Sequence, residues 1–120
     1  MVKIYDSEYR FCLLLWEHEP INSTKLAALC KEQLGWSKAT TYTVIRRLSE
    51  RGIIKNENAT VSSLIAKEEA QQAEMEELLE KTFEGSLPAF LVAFGNCHHL
   101  SEKEIRQLEM LIHSFQEDTP

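Results

Sequence analysis

Three observations predict a mostly α fold, in which a small three-helix domain closed by a β-hairpin precedes a helical arm. Apolar residues recur at helical spacing in three short windows before Gly52. β-branched residues then dominate two runs separated by a turn-forming tetrapeptide. From Lys67 onward the chain turns acidic, and its apolar residues thin to single stripes.

The first helix is expected from a cap at Asp6 or Ser7 to about Glu17, with Tyr9, Cys12, Leu13 and Trp16 on one face. Glu19-Pro20 ends it, because proline disfavours helix for the residue before it. Asn22-Ser23-Thr24 offers a new cap, and Leu26, Ala27, Leu29, Cys30 and Leu34 carry the second helix. Gly35-Trp36 forms a short turn, with Trp36 large enough to wedge the angle between the helices it joins. Ser37 caps the third helix, whose buried stripe is Thr41, Val44, Ile45 and Leu48. Gly52 follows its last turn, and Arg51 stands where a positive charge suits the C-terminal dipole.

Two helices joined by a tight glycine-containing turn make a helix-turn-helix. Ile53-Ile54 then opens an extended stretch, Asn56-Glu57-Asn58-Ala59 is turn-forming, and Thr60–Ile65 returns. A hairpin of this size is too small to stand alone and must lean on the helices. Residues 1–66 thus have the element order of a winged helix-turn-helix domain.

Residues 67–120 are expected to form a helical dimerisation arm. Met75, Leu78, Leu79 and Phe83 stripe its first helix, and Gly85-Ser86 and Pro88 interrupt it. Leu87 to Phe94 is a short apolar helix ending at Gly95-Asn96. Ser101 and Glu104 form a capping box for a last helix. The stripes have too little mass to bury themselves, so a second copy of the chain is the expected cover, ahead of packing back on the first domain. Candidate dimer contacts are Leu78, Phe83, Phe90, Leu91, Phe94, Ile105, Leu108, Leu111, Ile112 and Phe115.

Charge divides the same way. The net charge is −6, yet residues 1–66 hold nine Lys/Arg against seven Asp/Glu, while residues 67–120 hold four against twelve. The outer face of the third helix is short, hydroxyl-rich and basic, as a helix lying in a DNA major groove needs to be. Lys38, Arg46 and Arg47 suit phosphates or guanine edges, Arg47 being also a candidate for an ion pair within its own domain. Thr40 and Thr43 can donate to phosphate or meet a thymine methyl, and Tyr42 can use its ring or its hydroxyl. Ser37 combines cap and phosphate donor at a helix N-terminus that attracts anions. Lys55 is the cation left near the hairpin tip. The alternative is a winged-helix interaction module that binds protein rather than DNA, favoured by the weak wing and negative net charge.

Other classes are not expected. Cys12, Cys30 and Cys97 include no CxxC pair and read as free thiols in a reducing, cytoplasmic setting. Cys97-His98-His99 lacks a second ligand cluster, so no metal or other cofactor is expected. No nucleophile–base pair or phosphate loop marks an enzyme. No apolar run approaches the roughly 18 residues of a membrane span.

Trp36-Ser37 followed by Thr40, Thr43, Arg47-Leu48 and Gly52 resembles the recognition helix of the penicillinase and methicillin-resistance repressors, the BlaI/MecI/CopY type. Glu8 to Trp16 resembles their first helix, and Ala66-Lys67-Glu68-Glu69 the join to their arm. Phe83-Glu84-Gly85-Ser86 and Leu100-Ser101-Glu102-Lys103-Glu104 resemble two segments of that arm. The resemblance implies a homodimeric repressor on a palindromic operator, released when an inducing signal alters the chain, with an upstream sensor or protease of unspecified identity. Three departures bear on this. Asn56–Thr60 lacks the basic and aromatic residues that the family's wing often carries. Where β-lactam-responsive members are cut at an Asn-Phe bond this chain reads Ala93-Phe94-Gly95, so that cut is not expected. Gln116–Pro120 has no cysteine, unlike the tail of the copper-responsive members.

Overall fold

The structure, a computed structural model, describes residues 3–117. Its elements run α1 (Asp6–His18), β1 (Ile21–Asn22), α2 (Ser23–Leu34), α3 (Lys38–Glu50), β2 (Ile54–Glu57), β3 (Thr60–Ser63), α4 (Lys67–Phe83), α5 (Leu87–Cys97) and α6 (Glu102–Glu117). Three helices and a small sheet followed by three helices make a mostly α winged helix-turn-helix with a helical extension. Two compact units divide the chain after Glu77, inside α4.

In the first unit, Phe11, Cys12, Leu14 and Leu15 of α1 meet Leu26 and Cys30 of α2, Ile45 and Leu48 of α3, and Ile53, Ile54 and Val61. The α1 face differs from the expected one. Leu13 is exposed, and Phe11, Leu14 and Leu15 take the buried positions. Trp36 stacks on Phe11 with ring centroids 6.2 Å apart, and so carries the α2–α3 turn onto the core.

Helix ends follow local chemistry. The first helix is preceded by Tyr5, not capped by Asp6 or Ser7, and Glu8 accepts the Tyr5 backbone N–H at 3.0 Å. Asn22 accepts from the Thr24 N–H at 2.8 Å to open α2. After α3, Gly52 adopts φ +73°, which lets the Ile53 N–H reach back to the Leu48 carbonyl at 3.0 Å.

The sheet has order β1-β3-β2 and is antiparallel throughout. Its first strand is additional to the expected hairpin: Ile21 pairs with Val61 and Asn22 with Thr60. Asn56 and Glu57, expected in the turn, belong to β2 and pair with Val61 and Thr60. The turn itself is Asn58-Ala59, with both φ angles positive at 52° and 64°, as a two-residue hairpin requires. Glu19 ties the hairpin to the end of α1 by accepting the Ser63 N–H at 2.7 Å and the Ser63 hydroxyl at 2.8 Å. The Trp16 indole N–H donates to the Ile65 carbonyl at 2.9 Å.

The second unit is built on aromatic stacking. Phe83 meets Phe90 edge-on at 5.5 Å, Phe90 stacks on Phe94 at 6.0 Å, and Phe94 touches the His98 ring at 4.9 Å. The α5 helix continues through Gly95-Asn96, where an end was expected, and stops at Cys97. The Ser101 hydroxyl accepts the Glu104 N–H at 3.1 Å, and Glu104 accepts the Ser101 N–H at 3.1 Å, which makes the expected capping box.

Candidate nucleic-acid interface

The Ser37 hydroxyl oxygen accepts the Thr40 N–H at 3.1 Å, and its proton goes to the Thr40 hydroxyl at 2.9 Å. Thr40 therefore keeps its own hydroxyl proton to offer outward. Thr43 does not: its hydroxyl donates to the Ala39 carbonyl at 2.9 Å. Its methyl group and its oxygen lone pairs remain, which suits a thymine methyl or a base amino group better than a phosphate.

Lys38, Arg46 and Arg47 are exposed and, among the described residues, enter no ion pair. Lys38 lies over the Tyr42 ring at 5.9 Å. Tyr42 is half-buried, and its hydroxyl bonds to the side chains of Ser23 and Thr24, which hold the phenol below its usual pKa. It thus braces α3 against the first turn of α2. That brace brings in a residue that sequence reasoning did not place at the site, the exposed Thr24. Asn22-Ser23-Thr24 reads as a cap in the sequence, and nothing there links it to Tyr42.

Arg51 makes the ion pair for which Arg47 was a candidate. Its Nη1 lies 2.6 Å from Glu8 Oε2. Its Nη2 donates to the Lys3 carbonyl, and its guanidinium lies over the Tyr5 ring at 5.5 Å. Burial opposes ionisation of Glu8, but the Arg51 hydrogen bond, the Tyr5 N–H and the charges of Arg51 and Arg47 outweigh it and hold the carboxyl below its ordinary value. Lys55 is exposed, with Glu57 at 4.0 Å. Its charge is partly balanced, and the hairpin offers less to a polyanion than α3 does.

In the second unit, Leu78, Leu91, Phe94, Ile105, Leu108, Leu111, Ile112 and Phe115 are exposed, and Phe83 and Phe90 are half-buried. Phe94, Leu100, Leu108 and Leu111, with Glu104, Gln107 and Ser114, line an open cavity of about 830 Å³. Among the described residues no three of His, Cys, Asp and Glu gather as metal ligands, and no helix is long and apolar enough to cross a membrane.

A winged helix with an exposed basic face on its third helix defines the class of DNA-binding regulators. The penicillinase repressor family matches residues 4–114, and the chain belongs to that family of transcriptional repressors. It is 23% identical over 114 residues to the methicillin resistance regulatory protein MecI of Staphylococcus aureus, covering 92% of this chain and 93% of that protein. It is also 29% identical over 118 residues to an uncharacterized 16.5 kDa protein in the ptsI 3′ region of Latilactobacillus sakei, covering 92% and 78%. The family is regulatory, not enzymatic.

Proposed function

We propose that the protein is a cytoplasmic homodimeric repressor that reads a palindromic operator with α3, one recognition helix in each half-site. Residues 1–66 would be the reader and residues 67–120 the dimerisation arm. The observation that carries the reading is the outer face of α3, where Lys38, Arg46 and Arg47 are exposed and, among the described residues, without ion pairs, beside the outward hydroxyl of Thr40. Arg46 and Arg47 suit guanine edges and phosphates, Thr43 a thymine methyl, and Ser37, Lys38 and Thr40 the phosphates at the helix N-terminus. Tyr42 presents its ring, and Lys55 adds a minor phosphate contact.

One copy brings few cations, and phosphate neutralisation supplies much of the affinity for DNA. Doubling the contacts through the arm answers that shortage. The exposed stripe of α6 supports this, because Leu108, Leu111, Ile112 and Phe115 gain by leaving water together. The arm's acidic residues keep it off the DNA backbone.

Fluorescence anisotropy tests the reading, using the DNA upstream of the protein's own coding sequence, unrelated duplex as competitor and two salt concentrations. Selective binding that weakens with salt is expected. Equal or absent binding to both duplexes would favour an interaction module, for which the balanced charge on the hairpin speaks.

A further inference from the structure

Two adjacent residues of α3 hold α2 at separate points. Thr41 is fully buried, donates its hydroxyl to the Ser37 carbonyl at 3.3 Å and shares a hydrogen bond with the Cys30 thiol. The Tyr42 hydroxyl shares hydrogen bonds with Ser23 and Thr24, in the first turn of α2. Ser23 is itself held in place. It is buried, it follows β1 directly, and its N–H donates to the Ala59 carbonyl of the hairpin turn at 2.8 Å. The other end of the chain of contacts reaches the outer face of α3, where the Lys38 ammonium lies over the Tyr42 ring at 5.9 Å.

We propose that Tyr42 is a positioning residue for operator reading: its hydroxyl, held by the start of α2, sets the bearing of α3 and so acts on base recognition through Thr43 and Arg46, not by touching DNA. The proposal rests on the reading of α3 as the helix that meets the operator. Ile45 and Leu48 also pack on Leu26 and Cys30, but apolar contact is non-directional and lets one helix turn over another. Hydrogen bonds weaken steeply with distance and angle, so they resist that turning. The Thr41 contact alone is a pivot. Ser23 lies seven residues before Cys30, about two turns or 10 Å along α2, so a second hold there fixes the angle between the helices. Contacts to base edges carry the selectivity and need that angle, whereas phosphate contacts are made on any sequence. Through Ser23 the hairpin turn supports the same hold, which gives the wing a part in recognition that its balanced charge does not.

The test compares the full-length protein with Tyr42→Phe, Ser23→Ala and the two combined, by anisotropy on the operator footprinted in the upstream DNA and on unrelated duplex. Tyr42→Phe keeps the ring beneath Lys38 and removes only the hydroxyl. Ser23 is too buried to meet DNA, so its effect on reading passes through its contacts. Tyr42→Phe should lose about threefold to tenfold in operator affinity per half-site, with binding to unrelated duplex unchanged. Ser23→Ala should show a smaller loss of the same kind, and the combined variant should be no worse than Tyr42→Phe. Urea unfolding is followed alongside. A hydroxyl with a merely structural role would lower the unfolding midpoint and leave the folded protein's selectivity intact, which overturns the proposal. Equal losses on both duplexes, or losses that add in the combined variant, also overturn it and assign the hydroxyl to DNA directly. Each of these leaves the repressor reading standing, because the wild type still selects its operator. A wild type that binds operator and unrelated duplex equally overturns that reading and the role of Tyr42 together.

Discussion

The Arg51 guanidinium lies 2.6 Å from the Glu8 carboxylate, so the last cation of the recognition helix is engaged with α1. Glu8 is buried, and Arg51 is about one-third exposed. Removing one partner strands the other. Glu8→Gln or Arg51→Met should each cost about 1–3 kcal/mol in urea unfolding. In the folded state the Glu8 carboxyl titrates below its unfolded value, so between the two values the unfolded chain holds more protons. Stability from this pair is therefore complete above the unfolded carboxyl value, about 4.3, and declines as pH falls through the lower folded one. Glu8→Gln should flatten that acid limb. A limb of unchanged steepness would assign it to other carboxylates.

The hairpin turn carries an avoidable strain. Ala59 sits at φ +64°, a conformation that costs a side-chain-bearing residue and costs glycine little. Ala59→Gly should raise stability by about 0.5–1 kcal/mol, read as a higher melting temperature. A lower one would mean that the glycine's added unfolded-state freedom outweighs the relief.

The thiols should separate by burial. Burial pushes Cys12 up to about 12 and also raises Cys30, despite a hydrogen bond to Thr41 that acts the other way. Cys97 is exposed. Native protein at pH 8 should react with a disulfide reagent at one thiol, and denatured protein at three. Fast reaction of a second thiol in the native protein would contradict the packing of α1 against α2.

Self-association should depend on α6. Leu108→Lys with Leu111→Lys places two charges on its apolar stripe, and sedimentation should then find a monomer. The variant's palindrome affinity should fall toward that of a single half-site. A dimer that persists would place the interface elsewhere.

Residues that settle structure through their neighbours in sequence were legible. Ser37, Gly52 and the Ser101–Glu104 box mark helix ends by contacts within a turn or two. The basic face of α3 was legible for the same reason, because its residues share one helix. The α1 face was not. Phe11 to Trp16 is an unbroken apolar run, and periodicity alone cannot choose between Leu13 and Leu14 as the buried residue. The two-residue β1 has no pattern of its own and exists through pairing with Val61 and Thr60. Gly95-Asn96 reads as a stop, yet an interior glycine costs only about 1 kcal/mol, and aromatic contacts on both sides carry α5 past it. At the site, the missed relationships are those across distance: Arg51 to Glu8, 43 residues apart, and Tyr42 to the start of α2.

The central claim is that the outer face of α3 reads DNA, and Thr43→Ala/Arg46→Ala tests it most directly. Neither side chain is in the core, so circular dichroism and sedimentation should match the wild type. Anisotropy on the upstream palindrome should show a loss of about 1–3 kcal/mol per half-site, tenfold or more in the dissociation constant, with competition by unrelated duplex nearly abolishing what remains. Unchanged affinity and selectivity in a folded, dimeric variant would contradict the account.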